Sequence, residues 1–430
     1  MKVIGIIAEY NPFHNGHAYQ IETLKRKVQA DYVVIAMSGN FVQRGAAAVM
    51  DKFSRAQMAL CCGADLVLEL PVLYATASGE TFARGGVSLL HHTGLVTHLG
   101  FGAESHDLDS LQKIAAVLKE EPEPFQNVLQ QELKKGFSFP AARFSALKAC
   151  FKLQRPNSCA DLEQVLSAPN NILALEYLKA LSYYASPMIP CLLPRQGQSY
   201  HDSTPGQTFS SASSIRTSIQ EAFFETLESF RYSSSYSKIT KSILPTLAAS
   251  MPQNALSILM DYPHPFLSEQ DFSSLLHYQL LTMPAEALAS CADCSSDLAD
   301  RIKKELDHFC SWNSFCLHLK TKNITYTHLS RMFLHILLSI TKEDYYLAPE
   351  PSYLRVLGFR REAAPLLTAL KAHSSLPLVT SPARAMDTLS EPARRLLALD
   401  LKSSDLYRIG LTKKGDCSLS NDYQQPVLCL

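Results

Sequence analysis

Two histidines, His14 and His17, stand three residues apart in the segment Asn11-Pro-Phe-His-Asn-Gly-His17, directly after the apolar run Val3 to Ala8. Imidazole donors at that spacing, across the first turn of a helix, can both reach one phosphate. They suit charge building on phosphate oxygens during in-line displacement, and such electrostatic positioning is most of what phosphoryl-type transfer asks of a protein. Pro12 sets a turn, and Gly16 between the histidines leaves room for close approach by a nucleotide. His-x-x-His spacing also suits a metal ion. A strand before, a helix after, and Pro and Gly within the turn agree better on a nucleotide site.

That site must be held by strands and helices. The first half of the chain alternates short apolar runs with helical periods, the signature of βα units around a parallel sheet. Five strands are predicted: Val3 to Ala8, Tyr32 to Met37, Asp65 to Leu70, Val96 to Phe101 and Met188 to Leu193. They are mostly apolar without alternation, as strands covered on both faces should be. Ile21, Leu24 and Val28 place a helix from about Asn15 or Gly16, and Asp51 and Gly63 read as the N-cap and C′ residue of another. The histidine segment therefore occupies the carboxyl end of the first strand, where open α/β sheets bind ligands. The helix start that follows offers N–H groups and positive dipole to phosphate. These residues alone reach an ATP α-phosphate site and adenylyl transfer.

Beyond Ser210 the pattern changes. A helix is predicted from Ser213 to about Leu227, followed by the Ser- and Tyr-rich stretch Tyr232 to Lys238, where a domain boundary is placed. Phe272 to Leu281, Leu298 to Leu319 and His328 to Ser339 repeat at helical spacing, whereas Pro245 and Pro252 should break Ile239 to Leu259 into pieces. Short strands are expected in the last thirty residues. The reading is a Rossmann-like, doubly wound, parallel five-stranded α/β domain over 1–231, followed by a mainly α-helical domain over 232–430.

A chain of 430 residues with 47% hydrophobic content has material for two cores. The 40 Lys and Arg balance the 40 Asp and Glu, so a nucleic acid must meet a local basic surface. No apolar run reaches the roughly 18 residues that span a bilayer, and no signal peptide is evident. Eleven cysteines, mostly single, read as reduced core residues. A cytoplasmic protein with no membrane or DNA partner is expected. Cys291-x-x-Cys294 lacks a second pair at finger spacing, so no metal site is assigned.

The wider N-terminal block resembles the bacterial tRNA(Met) cytidine acetate ligase family, within the nucleotidyltransferase superfamily and its His-x-Gly-His motif. The resemblance rests on Gly5-Ile-Ile-Ala-Glu-Tyr-Asn-Pro-Phe-His-Asn-Gly-His17, Ser38-Gly-Asn-Phe-Val-Gln-Arg-Gly45, Asp51-Lys-Phe-Ser-Arg55, Gly63-Ala-Asp-Leu-Val-Leu-Glu-Leu-Pro71, Phe101-Gly-Ala-Glu104 and Pro169-Asn-Asn-Ile-Leu173. Later echoes are Tyr200-His-Asp202, Ala212-Ser-Ser-Ile-Arg216 and Arg355-Val-Leu-Gly-Phe359. It is dense to about residue 220 and thin beyond. Ala174 and Ser199 stand where glycine is usual, and Gly45-Ala-Ala-Ala-Val49 lacks an expected acidic residue.

The resemblance implies an ATP-dependent acetate:tRNA ligase that makes acetyl-adenylate and pyrophosphate, then acetylates N4 of the wobble cytidine of elongator tRNA(Met). It implies ATP contacts at Ile7, Ala8, Glu9, Tyr10, Asn11, Pro12, Phe13, His14, Asn15, Gly16, His17, Ala18, Tyr19 and Gln20, with Gly102, Asn170 or Asn171, and Arg195. His14 and His17 are the catalytic candidates, and Mg2+ is expected alongside ATP. Ser213 and Arg216 open a helix and suit the triphosphate.

Ser38, Asn40, Gln43 and Arg44 lie in a loop suited to acetate or tRNA. Residues 301–373 carry 11 Lys or Arg against 6 Asp or Glu, interleaved with Tyr326, Tyr345, Tyr346, Tyr353 and Phe359. That surface, with Arg355, Arg360 and Arg361, is the candidate tRNA contact. Two other readings use the same motif: a small-molecule adenylyltransferase, and a non-catalytic nucleotide- and RNA-binding module.

Overall fold

The structure is a computed structural model and describes residues 1–152, 159–195, 212–229 and 239–430. Five parallel strands form where the apolar runs predict them: β1 (Val3–Ala8), β2 (Tyr32–Ser38), β3 (Leu66–Leu70), β4 (His98–Ala103) and β5 (Ile189–Pro194). Their order in the sheet is β5-β4-β1-β2-β3. Strand order reverses between β1 and β4, so the switch point at which doubly wound sheets bind ligands lies at the carboxyl ends of those two strands. The loop after β2 lies on the other side of β1.

Both faces of the sheet are buried. Along β2, Val33, Ile35 and Met37 join one apolar core and Val34 and Ala36 the other. This is why the strands read as continuous apolar runs. Helix α1 (Asn15–Val28) follows β1 and buries Ile21 and Leu24. Helix α2 (Lys52–Cys61) precedes β3; Asp51 caps it by accepting the Phe53 and Ser54 N–H groups, and Gly63 follows with φ +108°.

The sheet is larger than five strands. β6 (Leu354–Phe359) pairs antiparallel with β3, and β7 (Leu378–Val379) and β8 (Leu428–Cys429) pair parallel with β6, giving eight strands among the described residues. The segment read as Arg355-Val-Leu-Gly-Phe359 is thus a sheet strand, supplied from beyond the expected domain boundary. That boundary, the 232–238 linker and the 200–202 echo lie outside the described residues. Between 239 and 413 the chain is otherwise mainly helical, as expected. Pro252 does separate two helices, but Pro245 does not: it sits inside the helix Ile239–Ser250. The period read over 298–319 resolves into Ser296–Lys304, a 3-10 turn and Trp312–Leu319. Ala174, in place of glycine, is a fully buried position of the helix Pro169–Tyr183, where a methyl group fits.

Candidate active site

β1 delivers the chain to Tyr10, whose φ of +48° turns the segment across the strand end. Tyr10 and Phe13 point into the core, at 1% and 0% exposure. Asn11 is also internal: its Oδ1 accepts the Val49 N–H at 2.8 Å. His14 is the N-cap of α1, and the two histidines are locked by the helix start itself. Nδ1 of His14 accepts the Gly16 N–H at 3.0 Å, and Nδ1 of His17 accepts the His14 N–H at 3.2 Å. The rings stack with centroids 3.7 Å apart.

This arrangement assigns the tautomer. An Nδ1 that accepts carries no proton, so the hydrogen of each neutral ring sits on Nε2. Burial, then the cations of Arg195 and Arg216, push the His14 pKa down to about 3. Burial, then His14 and Arg195, push that of His17 well below its ordinary value. Both rings are therefore neutral N–H donors at neutral pH. Gly16 also admits the histidine ring: a Cβ there would lie 2.9 Å from Cε1 of His14.

The depressed pKa values make stability pH-dependent with a defined sign. In the unfolded chain these imidazoles take up protons below about pH 6.5, while in the fold they stay neutral. Their contribution is complete above that pH and is lost as pH falls toward about 3. Resistance of the wild type to urea should thus fall between about pH 7 and about pH 5, and less so in His14→Asn, which keeps an acceptor for the Gly16 N–H. Equal losses in both proteins would contradict the assignment.

Other elements converge on the same strand ends. Gly102 lies near the end of β4, where an added Cβ would meet Cγ of Arg195 at 3.6 Å and the Gln20 amide at 4.0 Å. Arg195, exposed after β5, donates to Oδ1 of Asn170 at 3.0 Å. Asn171 is 2% exposed and its Oδ1 is taken by the Ser105 N–H, so Asn170 is the member of the pair beside Arg195. Arg216, in the helix Ala212–Ser229, donates to the Asn11 carbonyl at 2.6 Å and to Oγ of Ser213 at 3.1 Å. Asn15 is turned away, donating to Ala249 O.

Known proteins resemble the chain over nearly its whole length. The HIGH Nucleotidyl Transferase family matches residues 1–422. The tRNA(Met) cytidine acetate ligase of Acetivibrio thermocellus is 37% identical over 95% of this chain and 94% of its own length. That of Thermoanaerobacter sp. strain X514 is 36% identical over the full length of both. The chain belongs to the tRNA(Met) cytidine acetate ligase family. Two crystal structures of Thermotoga maritima TmcAL, 30% identical and covering the whole of both chains, superpose with TM-scores of 0.90 for the apo form and 0.87 for the form bound with alpha-thio ATP.

Several candidates that sequence placed on the surface of this ligase-family chain are internal. Ser38 and Asn40 are 0% and 3% exposed, and Oδ1 of Asn40 accepts the Lys52 N–H at 2.8 Å. Neither is exposed on the loop surface where the sequence placed it. Gln43 is half-buried, its N–H donated to Glu9, and Arg44 is exposed. Arg355 is 3% exposed and bonded to Glu69 and Asp422, which removes it from any tRNA surface. Tyr353 is likewise buried, against Asp400. Arg360 and Arg361 follow β6, which runs antiparallel to β3, so they lie at the sheet edge opposite the histidines. Cys291 and Cys294 are buried; among the described residues, the group with three close metal-capable atoms is Glu305, His308 and His318, at the surface.

Sequence reasoning missed the residues that hold the strand ends. Arg55, fully buried on α2, donates to the carbonyls of Met50, Glu9, Ser38 and Gly39, tying the exits of β1 and β2 together. Lys52 on the same helix enters a buried ion cluster. A signal was present in Asp51-Lys-Phe-Ser-Arg55: two cations at positions where an amphipathic helix buries apolar groups.

Proposed function

We propose that the protein is an ATP-dependent acetate:tRNA ligase that activates acetate as acetyl-adenylate and acetylates N4 of the wobble cytidine of elongator tRNA(Met), in the cytoplasm. The observation that carries this is the pair of locked, neutral histidines at the switch point of a chain that matches the ligase relatives end to end. ATP lies along the strand end and helix start from Ile7 to Gln20, with Gly102, Asn170 and Arg195 on one side and Ser213 and Arg216 on the other.

Acetate oxygen attacks the α-phosphorus, the bond to the bridging oxygen breaks, and pyrophosphate leaves with that electron pair. Nε2–H groups of His14 and His17 donate to the oxygens where negative charge grows. They need no proton change, so the site is preorganised for the transition state. Arg195 and Arg216 hold phosphates through forked donors. In the second step the cytidine amine attacks the acetyl carbonyl, the mixed anhydride breaks, AMP leaves and the amine loses a proton.

A Mg2+ ion arriving with ATP would be held chiefly by phosphate oxygens and water, neutralising charge on the leaving group. Of the carboxylates at the strand ends, Glu9 accepts the Gln43 N–H and Glu104 has both oxygens engaged. The experiment for the activation step is exchange of labelled pyrophosphate into ATP. Exchange that depends on acetate, and not on mononucleotides, is expected. Exchange with mononucleotides alone would instead identify a small-molecule adenylyltransferase, and ATP binding without exchange a non-catalytic module.

A further inference from the structure

The block Phe101-Gly-Ala-Glu104 contributes more than Gly102. Glu104 stands just past the end of β4, and both of its carboxylate oxygens are used. Oε1 accepts from Nδ2 of Asn170 at 2.5 Å, and Oε2 accepts the backbone N–H of Asn171 at 2.9 Å. Asn170 in turn accepts from Arg195 through Oδ1 at 3.0 Å. A single chain of hydrogen bonds thus runs from the end of β4, through the first turn of the helix Pro169–Tyr183, to the guanidinium after β5.

Two features make this more than packing. The helix has Ala168 at its N-cap, with no side chain to take its free N–H groups, so the Glu104 carboxylate supplies the cap from a different element. The carboxylate also decides which way the Asn170 amide faces. An ionised carboxylate only accepts and a guanidinium only donates, so the NH2 of Asn170 must face Glu104 and its carbonyl must face Arg195. The reverse orientation sets acceptor against acceptor at one end and donor against donor at the other.

We infer that Glu104 is a positioning residue for nucleotide binding: through the Asn170 amide it fixes the Arg195 guanidinium at the crevice, leaving the other Arg195 donors for phosphate. The inference rests on the assignment of Asn170 and Arg195 to the ATP site. The polarity of the chain provides the test. In Glu104→Gln the new amide cannot accept from both partners, so either Asn170 turns its NH2 toward Arg195 or the Asn171 N–H is orphaned. In Asn170→Asp two carboxylates meet. The double variant, Glu104→Gln with Asn170→Asp, exchanges the amide and the carboxylate. Its introduced glutamine donates to the introduced aspartate and accepts the Asn171 N–H, and the aspartate keeps an oxygen for Arg195, so every bond is restored.

ATP binding by calorimetry, KM for ATP and kcat in acetate-dependent pyrophosphate exchange, and melting temperature are measured on full-length proteins, with Arg195→Ala and Asn170→Ala alongside. Each single polarity variant should weaken ATP binding and raise KM by about tenfold, with kcat changed far less. The double variant should bind ATP more tightly than either single variant and melt closer to wild type. Recovery in the double variant supports the inference even where a single variant is too unstable to measure. A Glu104→Gln protein that binds ATP like wild type, or a double variant that is no better than the worse single or does not fold, overturns it. Wild-type ATP affinity in both Arg195→Ala and Asn170→Ala would instead refute the site assignment, whatever Glu104 does.

Discussion

Replacing His17 by alanine should lower kcat for acetate-dependent pyrophosphate exchange by about 10²–10³, the scale set by removing one preorganised donor from a developing oxyanion. The Kd for ATP should change by less than about tenfold. The asymmetry follows from the tautomer. Nδ1 of each ring is committed to the backbone of the helix start, which leaves Nε2–H as the donor that, in the proposed reaction, strengthens only as charge accumulates on the α-phosphate. His14→Ala should behave similarly, and the double variant should lose little more than either single. Removing His17 takes away the acceptor for the His14 N–H and the ring on which His14 stacks, so the two act as one unit. Single-turnover rates and equilibrium ATP binding separate the two effects. Equal losses in kcat and ATP affinity would mean that the histidines only bind.

Lys52→Met should destabilise the fold by about 3–5 kcal/mol, the usual cost of removing one partner from a buried ion pair. Nζ of Lys52 is wholly buried and donates to both oxygens of Glu69, at 2.8 and 3.0 Å, and to Asp422 at 2.6 Å. Arg355 reaches the same two carboxylates at 3.0 and 2.9 Å, and a lone guanidinium is then left with two buried acids. Lys52→Met with Glu69→Gln should recover part of the loss, since the surplus charge is gone. The urea midpoint reads both variants; a Lys52→Met midpoint matching wild type would show the cluster to be energetically neutral. The consequence extends to function, because α2 carries Arg55 as well as Lys52, and Asp422 belongs to the C-terminal tail. The tail is thereby tied to the helix that shapes the crevice.

What the sequence disclosed and what it hid divide along the range of the interactions. Strands β1 to β5, the start of α1 and the Asp51 cap are set by local pattern, and they form within one or two residues of expectation. The histidine site was legible for the same reason: strand, turn, two imidazoles and helix follow one another without a break in the chain. Whether a charged side chain faces solvent depends instead on partners far along the chain. Arg355 reads as part of a basic, aromatic surface, yet Glu69 and Asp422 draw it inside, and β6 pairs with β3, a strand from the far end of the sequence. Asn40 looks like a loop residue open to substrate until Lys52 supplies the N–H that buries it. Asn170 and Asn171 are adjacent and alike in sequence. Only Ser105 and Arg195, arriving after different strands, tell them apart.

Acetylation of the wobble cytidine is read by incubating the full-length protein with ATP, isotopically labelled acetate and unmodified elongator tRNA(Met), then mapping the nucleosides by mass spectrometry. A labelled acetyl group is expected on the wobble cytidine, formed only when ATP and acetate are both present and absent with His14→Ala or His17→Ala. An unmodified wobble cytidine under conditions where the protein turns over ATP, or label transferred without ATP, would contradict the proposed reaction.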